Sequence, residues 1–114
     1  MLSILINNFL FDPETKLLEN LVAIDLKKTY GNDLFYYKKN VEVDFFIPEE
    51  GRAVQVSYSI ADATTYQRKV SALLKLSEVY NLKKLEIVTF SEERTLNENG
   101  VIIQVVPVWK WLLP

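Results

Sequence analysis

The stretch VEVDFFIPEEGRAVQVSYSI, residues 41–60, limits the possible folds of this chain more than any other part. Its runs Val41–Ile47 and Ala53–Ile60 alternate apolar residues with other residues, as strands do when they bury one face. The turn PEEG lies between them, where proline fixes φ and glycine tolerates positive φ, so the pattern predicts a hairpin. A similar run, Leu34–Lys39, comes directly before it. Three consecutive strands are therefore expected.

A long helix is predicted before these strands. Asp12 can cap it, Pro13 suits its first position, and Glu14 favours the positive end of the helix dipole. The helix should end near Tyr30, before Gly31–Asn32. Its two adjoining apolar rows are Leu17, Leu18 and Leu21, and Val22, Ala23, Leu26 and Tyr30.

A second helix is predicted from Ala63 to Tyr80, with Asp62 as its cap. It is long enough to join two parallel strands, and the second of these is Lys84–Phe90. An acidic, polar loop over residues 91–100 should lead to a fifth strand, Val101–Val106. The order helix, three strands, helix and two strands predicts an α/β domain with a mixed sheet flanked by helices.

The chain ends in the apolar sequence VWKWLLP, which follows Pro107. We expect a short helix or turn here. Its large side chains, above all Trp109 and Trp111 with Leu112 and Leu113, should plug the core rather than line a ligand site.

Composition excludes several classes of function. The 114 residues fit one domain and contain no cysteine and no histidine, so disulfides, thiolate metal sites and histidine bases are excluded. Any bound metal would be a hard cation on carboxylates. The net charge of −2 is not typical of a dedicated nucleic-acid binder. No apolar run approaches the ~20 residues of a membrane span, so we expect no membrane partner and a cytoplasmic location.

The residues alone leave two interpretations of the hairpin open. Asp44 lies in its first strand, and Gln55 and Ser57 lie in its second. Glu19 points along the apolar stripe of the first helix, one turn before Val22. These residues could belong to a metal-dependent nuclease site that has lost half its chemistry. They could equally be solvated side chains of an ordinary hairpin and of a stripe edge, and residue types alone favour this second interpretation.

Several segments together resemble a known family. They are LLENLVAIDLKKTYG, YYKKNVEVDFFIP, AVQVSYSI, RKVSALLKLSEVY and the closing VVPVWKWLL. The chain resembles, over residues 9–114, the C-terminal domain of a group of prokaryotic AAA-type ATPases, which has a restriction-endonuclease-like fold of the PD-(D/E)XK type. The resemblance implies a single nuclease-like domain over residues 12–114 and an ATPase domain preceding it. Residues 1–11, which lack the features of a signal peptide, would be the end of that preceding segment.

The nuclease pattern of that family can be compared with this chain residue by residue. Glu19 matches the helix acid and Asp44 the strand acid. Gln55 stands where a second acid is expected, and Ser57 where a lysine is expected. The resemblance therefore implies that Glu19, Asp44 and Gln55 hold Mg²⁺ or Mn²⁺ weakly, if at all. A relocated lysine could come from Lys69 on the second helix or from Lys38 on the first strand, although the position of Lys69 is more typical of a surface residue.

Three functions follow from this comparison. The first is a catalytically degenerate nuclease-like module that binds DNA or a protein partner. The second is a metal-dependent DNA nuclease, a phosphodiesterase, that uses a relocated lysine. The third is an interaction domain that never meets nucleic acid, which the net charge of −2 favours.

Overall fold

The structure, a computed structural model, describes residues 13–114. Two predictions lie outside these residues: the cap at Asp12, and the assignment of residues 1–11 to a preceding segment. Within the described residues the chain forms three α-helices and one six-stranded sheet. The helices are α1 (Pro13–Tyr30), α2 (Ala63–Val79) and α3 (Val108–Trp111); the strands are β1 (Phe35–Lys38), β2 (Glu42–Ile47), β3 (Arg52–Val56), β4 (Lys84–Thr89), β5 (Arg94–Glu98) and β6 (Val101–Pro107).

The sheet is mixed, with the spatial order β1-β2-β3-β4-β6-β5. β1, β2 and β3 pair antiparallel, as a hairpin-connected series should. α2 then carries the chain to β4, which pairs parallel with β3, and β6 pairs parallel with β4. The predicted mixed α/β sheet flanked by helices is confirmed, together with the crossover role of the second helix. No helix within residues 13–114 has the length and apolar character needed to cross a bilayer.

α1 and α2 cover the sheet with separate hydrophobic cores. Because side chains alternate along a strand, neighbouring residues of β3 and β4 serve different cores. The α1 core contains Leu18, Val22, Leu26, Ile47, Val54, Val56 and Val88. The α2 core is larger and includes Val70, Leu73, Leu76, Leu85, Ile87, Ile103 and Val105.

The first predicted apolar row of α1 is mostly not part of the core. Leu18 is buried, but Leu17 and Leu21 are exposed, and so is Ile24 further along the same side of the helix. A helix lying on a sheet buries one stripe, and here that stripe is formed by Thr15, Leu18, Val22 and Leu26.

The prediction of a loop over residues 91–100 was wrong, because β5 lies within it and pairs antiparallel with β6. Asn99 and Gly100 both have positive φ, as a two-residue hairpin turn requires. β5 is an edge strand with only Leu96 well buried, so its sequence reads as polar. The Asn-Gly pair was the available signal for this hairpin.

Two further predictions need correction. The third strand ends at Val56 rather than Ile60, because beyond Val56 only backbone bonds to the β4 side continue. The C-terminal plug is also smaller than expected: Trp111 packs against the α1 core, whereas Trp109, Leu112 and Leu113 are exposed. The short α3 turns only one of its two indoles inward.

Candidate functional site

β2 and β3 part at Asp44, in the middle of the sheet. Regular pairing between the two strands ends at Phe45 and Val54. At the next position the Gln55 Oε1 accepts a hydrogen bond from the Asp44 backbone N–H at 3.0 Å, and the Asp44 Oδ2 accepts one from the Val56 backbone N–H at 2.8 Å. Side chains thus replace the ladder, and a space opens between the strands.

A bulge in β2 contributes to this opening. The β1–β2 register shifts between the pairs Phe35–Phe46 and Tyr37–Val43, so β2 has one more residue than β1 over this span. As a result Val43 and Phe46, three residues apart, both belong to the α2 core. Bulges redirect side chains locally, and here the extra residue lies beside Asp44.

Gln55 is fully buried at this opening. Its Nε2 donates to the backbone oxygens of Glu42, at 3.1 Å, and of Lys69, at 3.3 Å. With the bond from Asp44, its amide is held by three backbone groups from β2 and α2. Gln55 therefore holds the strands and the helix together at the inner wall of this opening.

Lys69 reaches the same point from α2. Its Nζ lies 3.1 Å from the Asp44 Oδ2, and the two side chains are only 12% and 16% exposed. Its sequence position favoured a surface residue, but the structure buries its charge against Asp44. Lys38, the other candidate for a relocated lysine, instead forms a surface pair with Glu42 at 3.6 Å.

Glu19 faces this cluster from α1. The first turn of α1 is tied to the chain beyond β3, because the Thr15 Oγ1 accepts a hydrogen bond from the Tyr58 backbone N–H at 2.9 Å. Burial raises the pKa of Glu19, and repulsion from Asp44 raises it further, against the lowering effect of Lys16 and Lys69. The charges of the two carboxylates therefore interact, while the ion pair that Glu19 forms within residues 13–114 is with Lys16, at 3.4 Å.

Ser57 does not join the cluster. Its Oγ donates to the backbone oxygen of Ser59 at 2.8 Å, within the bend that follows β3. Of the predicted residues, the structure thus brings Asp44, Gln55 and Lys69 into direct contact, leaves Glu19 within range of the charges of Asp44 and Lys69, and directs the Ser57 hydroxyl elsewhere.

Sequence reasoning missed Tyr36, which lies on β1 at the edge of this region. Desolvation, a hydrogen bond to Glu42 and the charges of Glu42, Asp44 and Glu19 raise the pKa of Tyr36 to about 12. Tyr36 therefore stays protonated beside the carboxylates. The only signal for Tyr36 in the sequence was that it belongs to a strand expected to pair with the strand that contains Glu42 and Asp44.

A cleft of about 340 Å³ opens beside the ion pair, at the lower end of the usual size for small-ligand sites. Its polar lining consists mainly of Asn40, Glu42, Asp44, Gln55, Arg68 and Lys69. Carboxylates and cations balance in it, so it is not a strongly acidic cavity.

The donor set does not fit Mg²⁺ or Mn²⁺ as it is arranged. These ions rely on several freely directed oxygens, and Mg²⁺ requires near-octahedral geometry. Here the Asp44 carboxylate already binds Lys69 and a backbone N–H, and the Gln55 oxygen accepts another. Within residues 13–114, no three acidic, histidine or cysteine residues are grouped so that they could hold a metal. A metal would have to displace the lysine.

Glu19→Gln should raise the free energy of unfolding at neutral pH by up to about 1 kcal/mol. Because the pKa of Glu19 is raised on folding from 4.5, the folded state holds this proton more tightly than the unfolded state. Stability of the native protein is therefore lost as pH rises through the window above 4.5. Urea unfolding at acidic and neutral pH measures this difference, which should vanish in acid.

The matched control is Glu49→Gln, which removes an exposed carboxylate from the turn between β2 and β3. It should change stability little at either pH. A Glu19→Gln variant less stable than the native protein at neutral pH would contradict the repulsion between Glu19 and Asp44.

The chain thus forms a mixed α/β domain in which two neighbouring strands, β2 and β3, separate. At that point the negative charge of Asp44 is balanced by Lys69. The chain belongs to the family described as a domain of unknown function, DUF4143, whose model matches residues 14–111. It is 35% identical over 109 residues to the uncharacterized protein MJ1544 of Methanocaldococcus jannaschii. That alignment covers 86% of this chain but 24% of the relative, so the chain spans about a quarter of the relative's length. No solved structure matches the chain.

Proposed function

We propose that this domain is a catalytically degenerate nuclease-like module that binds DNA or a protein partner. The proposal starts from the resemblance of its segments to the nuclease-like C-terminal domain of AAA-type ATPases. The electrostatic interaction between Glu19 and Asp44, where β2 and β3 part, supports it, since the nuclease pattern needs a helix acid near a strand acid. A fold alone does not determine a function, which depends on the side chains of the site.

The ion pair between Lys69 and Asp44 carries the degenerate interpretation. An ammonium group 3.1 Å from the carboxylate supplies, from within the protein, the positive charge that a metal would otherwise supply. Separating a buried pair costs about 3–5 kcal/mol when one partner is left uncompensated. A divalent ion would have to overcome that cost without help from Gln55, whose amide is held by backbone groups.

The proposal also places the domain within a longer protein. Its relative in Methanocaldococcus jannaschii is about four times as long as the aligned part. An ATPase domain that precedes this module and supplies motion is what the resemblance implies. In that arrangement the module would contribute binding, and the ATPase would contribute the chemistry.

The experiment that tests this proposal is a nuclease assay on the purified chain. Plasmid and labelled single-stranded DNA are incubated with Mg²⁺ or Mn²⁺, and we expect no cleavage above the level of Asp44→Ala. Each missing group that stabilises transition-state charge typically costs about 10²–10³ in rate, and this site departs from the pattern at Gln55 and Ser57. Metal-dependent cleavage that Asp44→Ala abolishes and Glu49→Ala leaves intact would refute the degenerate interpretation.

The second candidate is a Mg²⁺-dependent DNA nuclease with Lys69 as the relocated lysine. The observation that favours it is the approach of Lys69 to Asp44, which such an enzyme would need. In that case Lys69→Met would abolish cleavage. Lys38→Met would spare it, because Lys38 pairs with Glu42 at the surface.

The third candidate is an interaction domain without nucleic acid. The exposed apolar side chains Leu17, Leu21 and Ile24 on α1 support it, since a contiguous apolar patch often marks a protein contact. This candidate would be favoured over the first if the domain bound a protein with an affinity independent of salt and showed no affinity for DNA or RNA.

A further inference from the structure

A groove runs between α2 and the turn that joins β1 to β2. It consists of two adjoining clefts of about 340 Å³ and about 270 Å³, which share Asn40 and Val41. On the helix side, Arg68 and Ser71 line the first cleft and Lys75 lines the second. Their spacing of three and four residues places all three on one face of α2. Seven residues of helix separate Arg68 from Lys75 by about 10 Å.

Two of the three cations among the described residues that line this groove are not neutralised. Among residues 13–114, neither Arg68 nor Lys75 takes part in any ion pair, in contrast to Lys69, which binds Asp44. Lys39, also without an ion pair within that range, immediately precedes Asn40 and is exposed.

The acidic residues of the groove do not cancel this charge. Asp44 and Glu42 are each paired with a lysine, so Glu78 is the only unpaired carboxylate among the described residues that line the two clefts. The lining itself is balanced, but Lys38, which pairs with Glu42, and the exposed Lys39 add two cations at the rim, so positive charge exceeds negative charge around the groove on a chain whose net charge is −2. A positive strip on an acidic protein is a local feature that favours a polyanion.

We propose that this groove binds the phosphodiester backbone of a nucleic acid strand, with Arg68 and Lys75 contacting phosphates. The proposal rests on the proposed function and names the surface through which it would act. A guanidinium group matches phosphate geometry with two parallel hydrogen bonds, and lysine acts as a point charge. At 3.4 Å per nucleotide along a strand, the spacing of about 10 Å spans about three nucleotides.

The groove places binding beside the acid pair rather than on it. Glu19 and Asp44 would repel phosphate, and Lys69 is already committed to Asp44. Asn40, which lines both clefts, adds a neutral donor, whereas the Ser71 hydroxyl already donates to the Arg68 backbone oxygen at 3.3 Å. Phosphate contacts carry no sequence information, so binding should show little sequence preference.

The test is fluorescence anisotropy of the purified chain with labelled oligodeoxythymidylate and oligouridylate over a range of KCl concentrations. The test variant carries Arg68→Glu and Lys75→Glu. The control carries Lys27→Glu and Lys83→Glu, which change the net charge equally at exposed lysines that do not line the groove. We expect the test variant to bind at least about 10-fold more weakly than the control.

The salt dependence gives a second readout. Loss of two phosphate contacts should reduce the slope of log affinity against log salt by about 1.4 for a single strand. Equal binding of DNA and RNA would support backbone recognition, whereas a strong preference for one would overturn the proposal that the backbone alone is read.

Other outcomes separate this inference from the proposed function. If the native chain binds an oligonucleotide and the test variant binds equally well, the groove is excluded while a binding module remains. A third probe is polyglutamate. If the native chain binds polyglutamate but neither oligonucleotide, and the test variant no longer binds polyglutamate, the groove binds an acidic protein and the nucleic-acid proposal is wrong. If the native chain binds none of the three probes, the groove proposal fails and nucleic-acid binding by this domain fails with it.

Discussion

Arg52→Ala should lower the free energy of unfolding by about 3–5 kcal/mol, the largest effect we expect from a single substitution in this protein. The Arg52 Nε donates to the Glu86 Oε1 at 2.7 Å, and the two side chains are 15% and 6% exposed. Removing the guanidinium leaves a carboxylate in the α1 core face without its partner. An uncompensated buried charge is costly because desolvation is no longer offset.

Arg52 also connects elements that are distant in sequence. Its Nη1 donates to the Tyr30 hydroxyl at 2.9 Å, and its guanidinium lies 5.9 Å from the Tyr30 ring centroid and 5.7 Å from the Trp111 ring centroid. The end of α1, the start of β3, the strand β4 and the helix α3 therefore meet at one side chain. Loss of Arg52 should loosen both helix ends.

Urea unfolding followed by circular dichroism measures this effect. The control is Lys38→Ala, which breaks a surface pair with side chains 65% and 60% exposed and should cost no more than about 1 kcal/mol. The double variant Arg52→Met with Glu86→Leu should recover most of the stability, since an apolar pair of similar volume can replace a buried ion pair. A loss below about 1 kcal/mol for Arg52→Ala would show that the pair is not desolvated.

A second cation, Lys84, also lies near Glu86. Its Nζ lies 4.0 Å from the Glu86 Oε2 and can partly compensate the carboxylate when Arg52 is absent. Lys84→Ala should therefore cost little in the native protein and more in the Arg52→Ala background. This non-additivity is the expected mark of a shared network.

The second large effect concerns Gln55. Gln55→Leu should lower the free energy of unfolding by at least about 2 kcal/mol, because it removes the side-chain partner of three backbone groups, of which the one inside α2 keeps its helical hydrogen bond and the other two cost about 1–3 kcal/mol each. Those groups are the Asp44 N–H and the carbonyl oxygens of Glu42 and Lys69. Leucine has a similar volume, so the loss reports on hydrogen bonding rather than on a cavity.

Chemical denaturation again gives the measurement. The matched control is Gln67→Leu, the same replacement at an exposed position of α2, which should change stability by less than about 0.5 kcal/mol. If Gln55→Leu were as harmless as Gln67→Leu, the amide would not be holding β2 to α2.

Gln55→Glu, which restores the acid of the nuclease pattern, should destabilise the protein more at neutral pH than in acid. The new carboxylate cannot donate to the Glu42 and Lys69 carbonyl oxygens and lies beside the Asp44 carboxylate. Folding should therefore raise its pKa, so stability is retained at low pH and lost as pH rises through that pKa. A variant equally stable at both pH values would show that this position still accepts a negative charge.

Local sequence signals were sufficient for most of the secondary structure. The first helix ends at Tyr30, before its predicted glycine stop, and the second ends one residue before its predicted end at Tyr80. The Asp62 side chain accepts a hydrogen bond from the Thr65 backbone N–H, as a cap does. The PEEG turn forms with Gly51 at a positive φ of 61°. Such features depend on neighbouring residues, so a single sequence contains them.

Signals failed where burial depends on the rest of the fold. β5 has a polar sequence and is a strand because it pairs with β6. Leu17 and Trp109 are apolar but exposed. The pattern of a single segment cannot show which apolar row will meet the sheet. That choice depends on how the helix is oriented, which the whole core determines.

The sequence by itself determined the order of the elements except β5, the absence of histidine and cysteine chemistry, and the candidate residues Glu19, Asp44, Gln55 and Ser57. Only the tertiary structure decided that Lys69 compensates Asp44 from 25 residues away, and that Arg52 compensates Glu86 from 34 residues away. The physical reason is that an ion pair needs its two groups within a few ångströms of each other, and that its loss is costly only where both groups are desolvated. Strand order and helix packing set those distances, and neither is encoded within a single segment.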